Sequence, residues 1–390
     1  MDNVTQIPCE VYLTGTEPLV VEPTCPQNHA SSNQPLCDLE SNTHATPPTP
    51  LVPTTSIFVY SIANFGVTMA WSISFALTTP FFAQVLRAGP VISHFIWALG
   101  PISGLVVAPL VGALSDRSTN RFGRRRPFIV AGTIVVAAAM LVFSNAPVVT
   151  RLLLPRSAAE STIHKAAIVV ATVAFAFSDF ALNASMWPLR ALQGDLVPAS
   201  QQHAMQGASV AVGSLGDLAA QILLSLFPQA VRHAPVVFAI CVVVLITTTV
   251  IMLFTANETP WKGSADKVAR ESQKSTGAIL VRQLITAPNW MKRLAICNAL
   301  CFFAFFCLTP NFSTWFASSV LQGSADSPEG SERALRFERG VNVYGRAGIF
   351  RSIVQIVLAA AYPHFMKREH AGNVSRNSSW RLWSRASCLV

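Results

Sequence analysis

Asp179, Asn183 and Arg190 follow an apolar run from Ala166 to Phe177, and Asp195 comes five residues after the arginine. Spacings of four and eleven place Asp179, Asn183 and Arg190 on one face of a helix. A carboxylate set that deep in an apolar helix costs about 2.5–3.5 kcal/mol on insertion scales, so it is seldom placed without use. Burial disfavours its charged form and a neighbouring arginine favours it, so a group balanced between the two can take up a proton and release it. The structural alternative is an interhelical hydrogen bond. Asn183 has two equal readings, a donor to a ligand hydroxyl or a brace for Asp179. Arg190 and Asp195 read as a brace at the end of the helix.

The elements that hold these residues follow from composition. The chain has 390 residues, 51% hydrophobic and 12% charged, with a mean hydropathy of +0.44. Ordinary soluble domains carry about 25% charged residues, and windows near the roughly twenty residues that a bilayer demands recur along the sequence. Eight spans are predicted, at 57–82, 91–114, 127–146, 166–187, 207–227, 234–255, 293–317 and 343–365. The organisation expected is a disordered cytoplasmic tail at 1–55, a six-helix bundle at 56–255 and a cytoplasmic central loop at 256–292. Two further helices at 293–366 and a polar tail at 367–390 complete it. The tail to residue 55 has no Lys or Arg and six acidic residues, too little apolar surface to build a core.

With the N-terminus in the cytoplasm, the inside segments hold 18 of the 28 Lys and Arg and the outside segments 8; Arg346 and Arg351 fall inside the eighth span. That asymmetry sets the orientation. The densest charge, Gly112 to Phe128, then lies in the cytoplasm between spans two and three, with Asp116, Arg117, Arg124, Arg125 and Arg126 inside it. Such a loop is a topological stop, and a carboxylate among arginines at adjacent helix ends can also open and close as a gate. The basic excess sits in loops between spans, which argues against a nucleic-acid partner. No C-x-x-C pair, G-x-S-x-G, H-E-x-x-H or P-loop is present, so no metal site, cofactor or enzymatic chemistry is expected.

Several stretches carry a family likeness. Gly100-Pro101-Ile102-Ser103-Gly104, Pro109-Leu110-Val111-Gly112, Ser115-Asp116-Arg117 and Arg121-Phe122-Gly123-Arg124-Arg125-Arg126-Pro127 resemble the loop-2–3 signature of the major facilitator superfamily. More narrowly they resemble the glycoside–pentoside–hexuronide:cation symporter branch, with the plant sucrose–proton symporters and their fungal alpha-glucoside and animal relatives. Leu77-Thr78-Thr79-Pro80 and the run from Asp179 to Leu196 are similar to the same family. The resemblance implies an all-α membrane protein of the facilitator fold, with twelve helices in two bundles and substrate held between them. It also implies proton-coupled symport of sucrose or a related alpha-glucoside, with the proton as coupling ion.

On that resemblance Asp179 is the proton site, with Asn64, Trp71, Asn183 and Arg346 near the sugar. Asp116, Arg117, Arg124, Arg125, Arg126, Arg190 and Asp195 are the gating set. Asn64, Trp71 and Thr78 recur every seven residues on one face of span one, a mixture suited to a glycoside or to helix packing. The expected partners are a disaccharide or other glycoside, a proton and the bilayer, in the plasma membrane or alternatively the vacuolar membrane. Thr314, Ala317, Ser318 and Ser319 stand where plant members carry Asp, Gly, Arg and Glu. Asp217, following Gly213 and Gly216, departs from the pattern; it reads as a second protonatable group, as the partner of a basic group across the bundle, or equally as a sign of relaxed selection, ranked below Asp179. Eight helices of an expected twelve imply a protein that is C-terminally incomplete, and a non-transporting, inactive or sensor-like membrane protein is the alternative reading.

Overall fold

The computed structural model describes residues 51–118, 120–227, 229–256, 258, 285–328 and 330–371. The N-terminal tail to residue 50, most of the central loop and the C-terminal tail from 372 lie outside the described residues.

Among the described residues, eight helices are long and apolar enough to cross a membrane: α1 Thr54–Val85, α2 Val91–Asp116, α3 Arg126–Ser144, α4 Glu160–Asp195, α5 Ala199–Leu226, α6 Ala234–Thr255, α7 Asn289–Val320 and α8 Glu332–Ala361. Pro127 and Pro235 sit in the first turns of α3 and α6, where the missing N–H has no intrahelical partner to lose. A short helix, Ala146–Leu153, lies between α3 and α4.

Two boundaries differ from the sequence expectation. Span four was expected to end near residue 187; instead α4 runs 36 residues to Asp195, straight through Pro188. A proline costs one backbone bond, and membrane helices tolerate it because packed neighbours satisfy the freed carbonyl. Arg190 and Asp195 are therefore helical. Likewise α8 begins at Glu332 rather than near 343, and its helix continues to Ala371. Its first turns carry Glu332, Arg333, Arg336, Glu338 and Arg339, with Glu332 and Arg336 paired one turn apart. Charge hid this stretch from a hydropathy reading, yet such i,i+4 pairs support a helix.

α1 packs against α5 and α6, α3 against α4 and α6, α2 against α4, and α8 against α5 and the last turns of α7. Small residues permit these approaches. A side chain at Gly216 would overlap the backbone of Phe65 on α1, and one at Gly132 would overlap Ser185 on α4. Lipid tails are as apolar as the helices, so close van der Waals contact between backbones drives association here. Phe143 on α3 anchors one end of the bundle, with Phe81, Phe175 and Phe238 of α1, α4 and α6 at centroid distances of 5.0, 6.1 and 5.4 Å.

α1 and α7 end alike. Each closes in a π-helical turn, Phe81–Val85 and Phe316–Val320. In each, an N–H reaches back five residues, Leu86 to the Phe81 carbonyl and Leu321 to that of Phe316. Each is followed by a non-glycine residue with positive φ, Arg87 at 42° and Gln322 at 53°. α7 thus repeats the ending of α1, the kind of internal repetition on which many transporter folds are built.

Candidate functional site

Asp179 lies in the middle of α4 at 2% exposure, with the Ser103 hydroxyl of α2 beside it. Both of its carboxylate oxygens are buried, and no charged side chain among the described residues pairs with them. One turn on, the Asn183 amide donates to Ser103 Oγ at 2.8 Å and to the Asp179 backbone carbonyl at 3.0 Å. The α2–α4 contact therefore sets Asn183 and Ser103 beside the carboxyl, with the Ser103 hydroxyl, which accepts from Asn183, the nearest donor to it. Ser103 stands out in the sequence only as part of a motif; its place in the α2 register opposite Asn183 is what the fold adds.

Of the other residues assigned to the sugar, Asn64 is half-buried and its amide donates to the Ser61 carbonyl of its own helix at 3.1 Å. Trp71 is half-buried and stacks on Phe75 at 5.4 Å, and Phe75 stacks in turn on Trp97 at 5.0 Å. Phe305 and Phe306 of α7 meet Phe75 edge-on. Trp97 donates its indole N–H to Thr79 Oγ1 at 2.9 Å, and Thr79 donates to the Pro310 carbonyl at 3.3 Å. This aromatic stack and hydroxyl relay join α1, α2 and α7. Arg346 is exposed on α8 and makes no hydrogen bond or ion pair among the described residues. The structure thus brings Asp179 and Asn183 together and places Asn64, Trp71 and Arg346 on other elements.

A second buried carboxylate has the opposite character. Asp217 on α5 is 4% exposed and accepts from four side chains on three helices. Ser72 of α1 donates at 2.5 Å, Ser352 of α8 at 2.6 Å and Gln221 of α5 at 3.2 Å. Arg351 of α8 donates to both oxygens, at 2.8 and 2.9 Å. The sequence reading allowed a basic partner across the bundle without naming one. Arg351 was visible only as one of two arginines inside the eighth span, and two opposite charges at membrane depth were the signal that could have joined them.

The arginine-rich loop forms one connected cluster at the opposite end from the π-turns. Asp195 receives Arg124 Nη2 at 2.9 Å and Arg125 Nε at 2.7 Å, and Arg125 Nη1 reaches Asp116 at 3.0 Å. Arg190 lies over the Trp187 ring, 5.2 Å from its centroid. Arg126 is half-buried, with Nε and Nη2 unpartnered among the described residues; Arg117 closes its helix, and its side chain lies outside the described residues. The sequence did not reveal Glu258, just beyond α6. Its carboxylate accepts the backbone N–H groups of Arg124 at 2.9 Å, Arg125 at 3.1 Å and Arg126 at 3.4 Å. Those N–H groups open α3, where a negative charge meets the positive end of the helix dipole. Gly123, at φ 108°, makes room, since a side chain there would overlap the Glu258 carboxylate.

Eight membrane-length helices, a repeated helix ending and charges buried at membrane depth define a multi-pass integral membrane protein of the major facilitator type. The chain belongs to the MFS/sugar transport protein family, which it matches over residues 59–327, and that is a transport family rather than an enzyme one. It is similar to the sucrose transport protein SUT1 of Oryza sativa subsp. japonica, 27% identical over 75% of this chain and 57% of that protein. It is also similar to sucrose transport protein SUT2 of Oryza sativa subsp. indica, 29% identical over 67% and 56%. To sucrose transport protein SUC4 of Arabidopsis thaliana it is 39% identical over 34% and 25%. The sequence spans about half the length of the first two relatives.

Proposed function

We propose that the protein carries a sugar, sucrose or a related alpha-glucoside, across a membrane together with a proton. The observation that carries this reading is Asp179, a carboxyl at the centre of α4 held at 2% exposure beside the Ser103 hydroxyl and without an ion-pair partner among the described residues. Asp217 is held by an arginine and three further donors and Asp195 by two arginines; Asp179 alone of the three has no cationic partner among these, and it is buried. Protonation relieves the cost of burying the charge, and the membrane potential adds about 2.3 kcal/mol per 100 mV for each charge moved inward. Asn183 orients the site, while Trp71 and Asn64 offer a ring face and an amide on α1. Arg346 supplies a donor from α8, and the proton is the only coupling species required. The cluster of Asp116, Arg124, Arg125 and Asp195 ties α2, α3 and α4 at the cytoplasmic end, with the N-terminus on that same side and Arg117, Arg126 and Arg190 completing the gate. The names of the relatives support sucrose as the first substrate to try.

Uptake of labelled sucrose and maltose in yeast lacking its own carriers, at external pH 5 and 7, tests the reading. Faster uptake at pH 5, abolished by Asp179→Asn at equal surface expression, is the expected result. Equal uptake by the Asp179→Asn variant would remove the proposed role of Asp179.

A further inference from the structure

Glu338, in the second turn of α8, is 3% exposed and joins three elements at the end of the helices away from the arginine-rich loop. Its Oε1 accepts Arg232 Nε at 2.5 Å, from the turn between α5 and α6, and Gln84 Nε2 at 3.0 Å, from the last turn of α1. One turn on, the Asn342 amide of α8 donates to the Leu224 and Ser225 carbonyls of α5, at 3.0 Å each. A side chain at Gly345 would press on Leu224 and one at Gly348 would overlap Gln221, and Arg351 and Ser352 close on Asp217. Past Ser352, the side chains of Ile353, Val354, Val357 and Leu358 are exposed. α7 divides the same way. Thr309, Ser313 and Ala317 are buried toward the Glu338 end, while Ile296, Leu300 and Phe303 toward the other are exposed. Both helices are thus clasped at the Glu338 end and bare at the other.

We infer that Glu338 is the keystone of an outer latch. With Arg232 and Gln84 seated on it, the protein is closed to the outside and open toward the cytoplasm, and the outer face opens only after both let go. The inference rests on the sugar-carrier reading and the orientation proposed above. It assigns a task that the arginine-rich cluster does not perform. Asp116, Arg124, Arg125 and Asp195 bind α2, α3 and α4 to one another, whereas the Arg232–Glu338 pair reaches from the α5–α6 turn to α8. Its strength suits a contact that must be remade in every cycle. The Glu338 side chain is 3% exposed, but that of Arg232 is 30% exposed and lines a cavity of about 270 Å³ together with Gln84 and Arg87. Solvent reaching that cavity screens the arginine, so the pair holds more firmly than a surface one and yields more readily than one buried on both sides. Asp217, with its donors from α1, α5 and α8, lies deeper along α8. It stays in place as the level about which the outer ends separate, in the rocking by which such carriers alternate.

The experiment reads opening in the full-length protein in lipid nanodiscs, with Leu224→Cys as reporter. Leu224 is 0% exposed and meets α8 one turn below the latch. Cys241 of α6, also 0% exposed, is the internal control for general loosening. Labelling of both by a water-soluble maleimide is followed by peptide mass spectrometry. Glu338→Gln is expected to speed labelling at position 224 about tenfold or more, the scale of one charge-assisted hydrogen bond lost, and to leave Cys241 unchanged. Gln84→Leu, which spares the ion pair, is expected to speed it about threefold and serves as the second variant should Glu338→Gln misfold. A rate unchanged in the folded variants, or a rise shared equally by Cys241, would overturn the latch. Sugar uptake with unchanged labelling would remove the latch and leave the carrier reading intact. Faster labelling at position 224 alone, without uptake, would leave the latch and remove the carrier reading.

Discussion

Arg351 on α8 grips both oxygens of Asp217 on α5, at 2.8 and 2.9 Å, and so ties α8 to α5 midway along both helices. The partners are unequally exposed, with the Asp217 side chain at 5% and that of Arg351 at 50%. Removing the arginine leaves a buried carboxylate held only by Ser72, Ser352 and Gln221, whereas removing the charge of the aspartate leaves a guanidinium that can turn outward. Breaking a fully buried pair from one side costs about 3–5 kcal/mol, and the exposure of Arg351 lowers that here. Arg351→Gln is therefore expected to lower Tm in detergent more than Asp217→Asn does, and the double variant less than the sum of the two. Additive losses would mean that the two groups are not coupled.

Glu258 is expected to act as a cap for α3. Capping of this kind contributes about 0.5–2 kcal/mol, so Glu258→Gln should lower Tm by a few degrees. Gly123→Ala should cost at least as much, because it strains φ and displaces the same carboxylate. Thermal unfolding of both single variants and the double checks this. An unchanged Tm for Gly123→Ala would mean that the Glu258 contact does not hold the loop.

Gly216 permits α1 and α5 to meet backbone to backbone. Gly216→Val is expected to abolish the folded protein, seen as loss of monodisperse material after detergent extraction, while Gly104→Ala, with open space around it, is expected to be neutral. A well-behaved Gly216→Val protein would show that the α1–α5 approach is not needed.

Trp97 and Thr79 link α2 to α1, and through Thr79 to α7. Trp97→Phe keeps the aromatic stack and loses one hydrogen bond, a net cost of about 0.5–1.5 kcal/mol. Thr79→Val also loses the bond to Pro310 and leaves the buried Trp97 N–H without its acceptor, so it should cost more, and the two together little more than Thr79→Val alone. Fully additive costs would place the two residues in separate interactions.

The spans were legible because bilayer thickness imposes a length and an apolar composition that no other constraint imitates. Both ends of the eighth helix and the far end of the fourth were not, since charge and proline mask helix to a hydropathy reading while neighbouring helices compensate for both. Asp179 stood out because its depth alone is costly. Asp217 was seen but not paired, because its partner is more than a hundred residues distant and Arg351 looks no different in sequence from Arg346. The structure separates those two arginines, one seated on a carboxylate and the other exposed on the helix. Glu258 was invisible for a different reason. Capping the start of α3 from the far end of α6 depends on how the bundle folds back, which no local pattern records.

The central claim is that Asp179 is the group through which sugar and proton movement are joined. Its most direct test is sucrose-evoked proton flux into vesicles containing the purified protein and an internal pH dye, with no imposed potential. The account predicts that sucrose acidifies the lumen with the unaltered protein and that Asp179→Asn abolishes this while leaving the fold intact by thermal unfolding. Acidification that survives Asp179→Asn unchanged would contradict it.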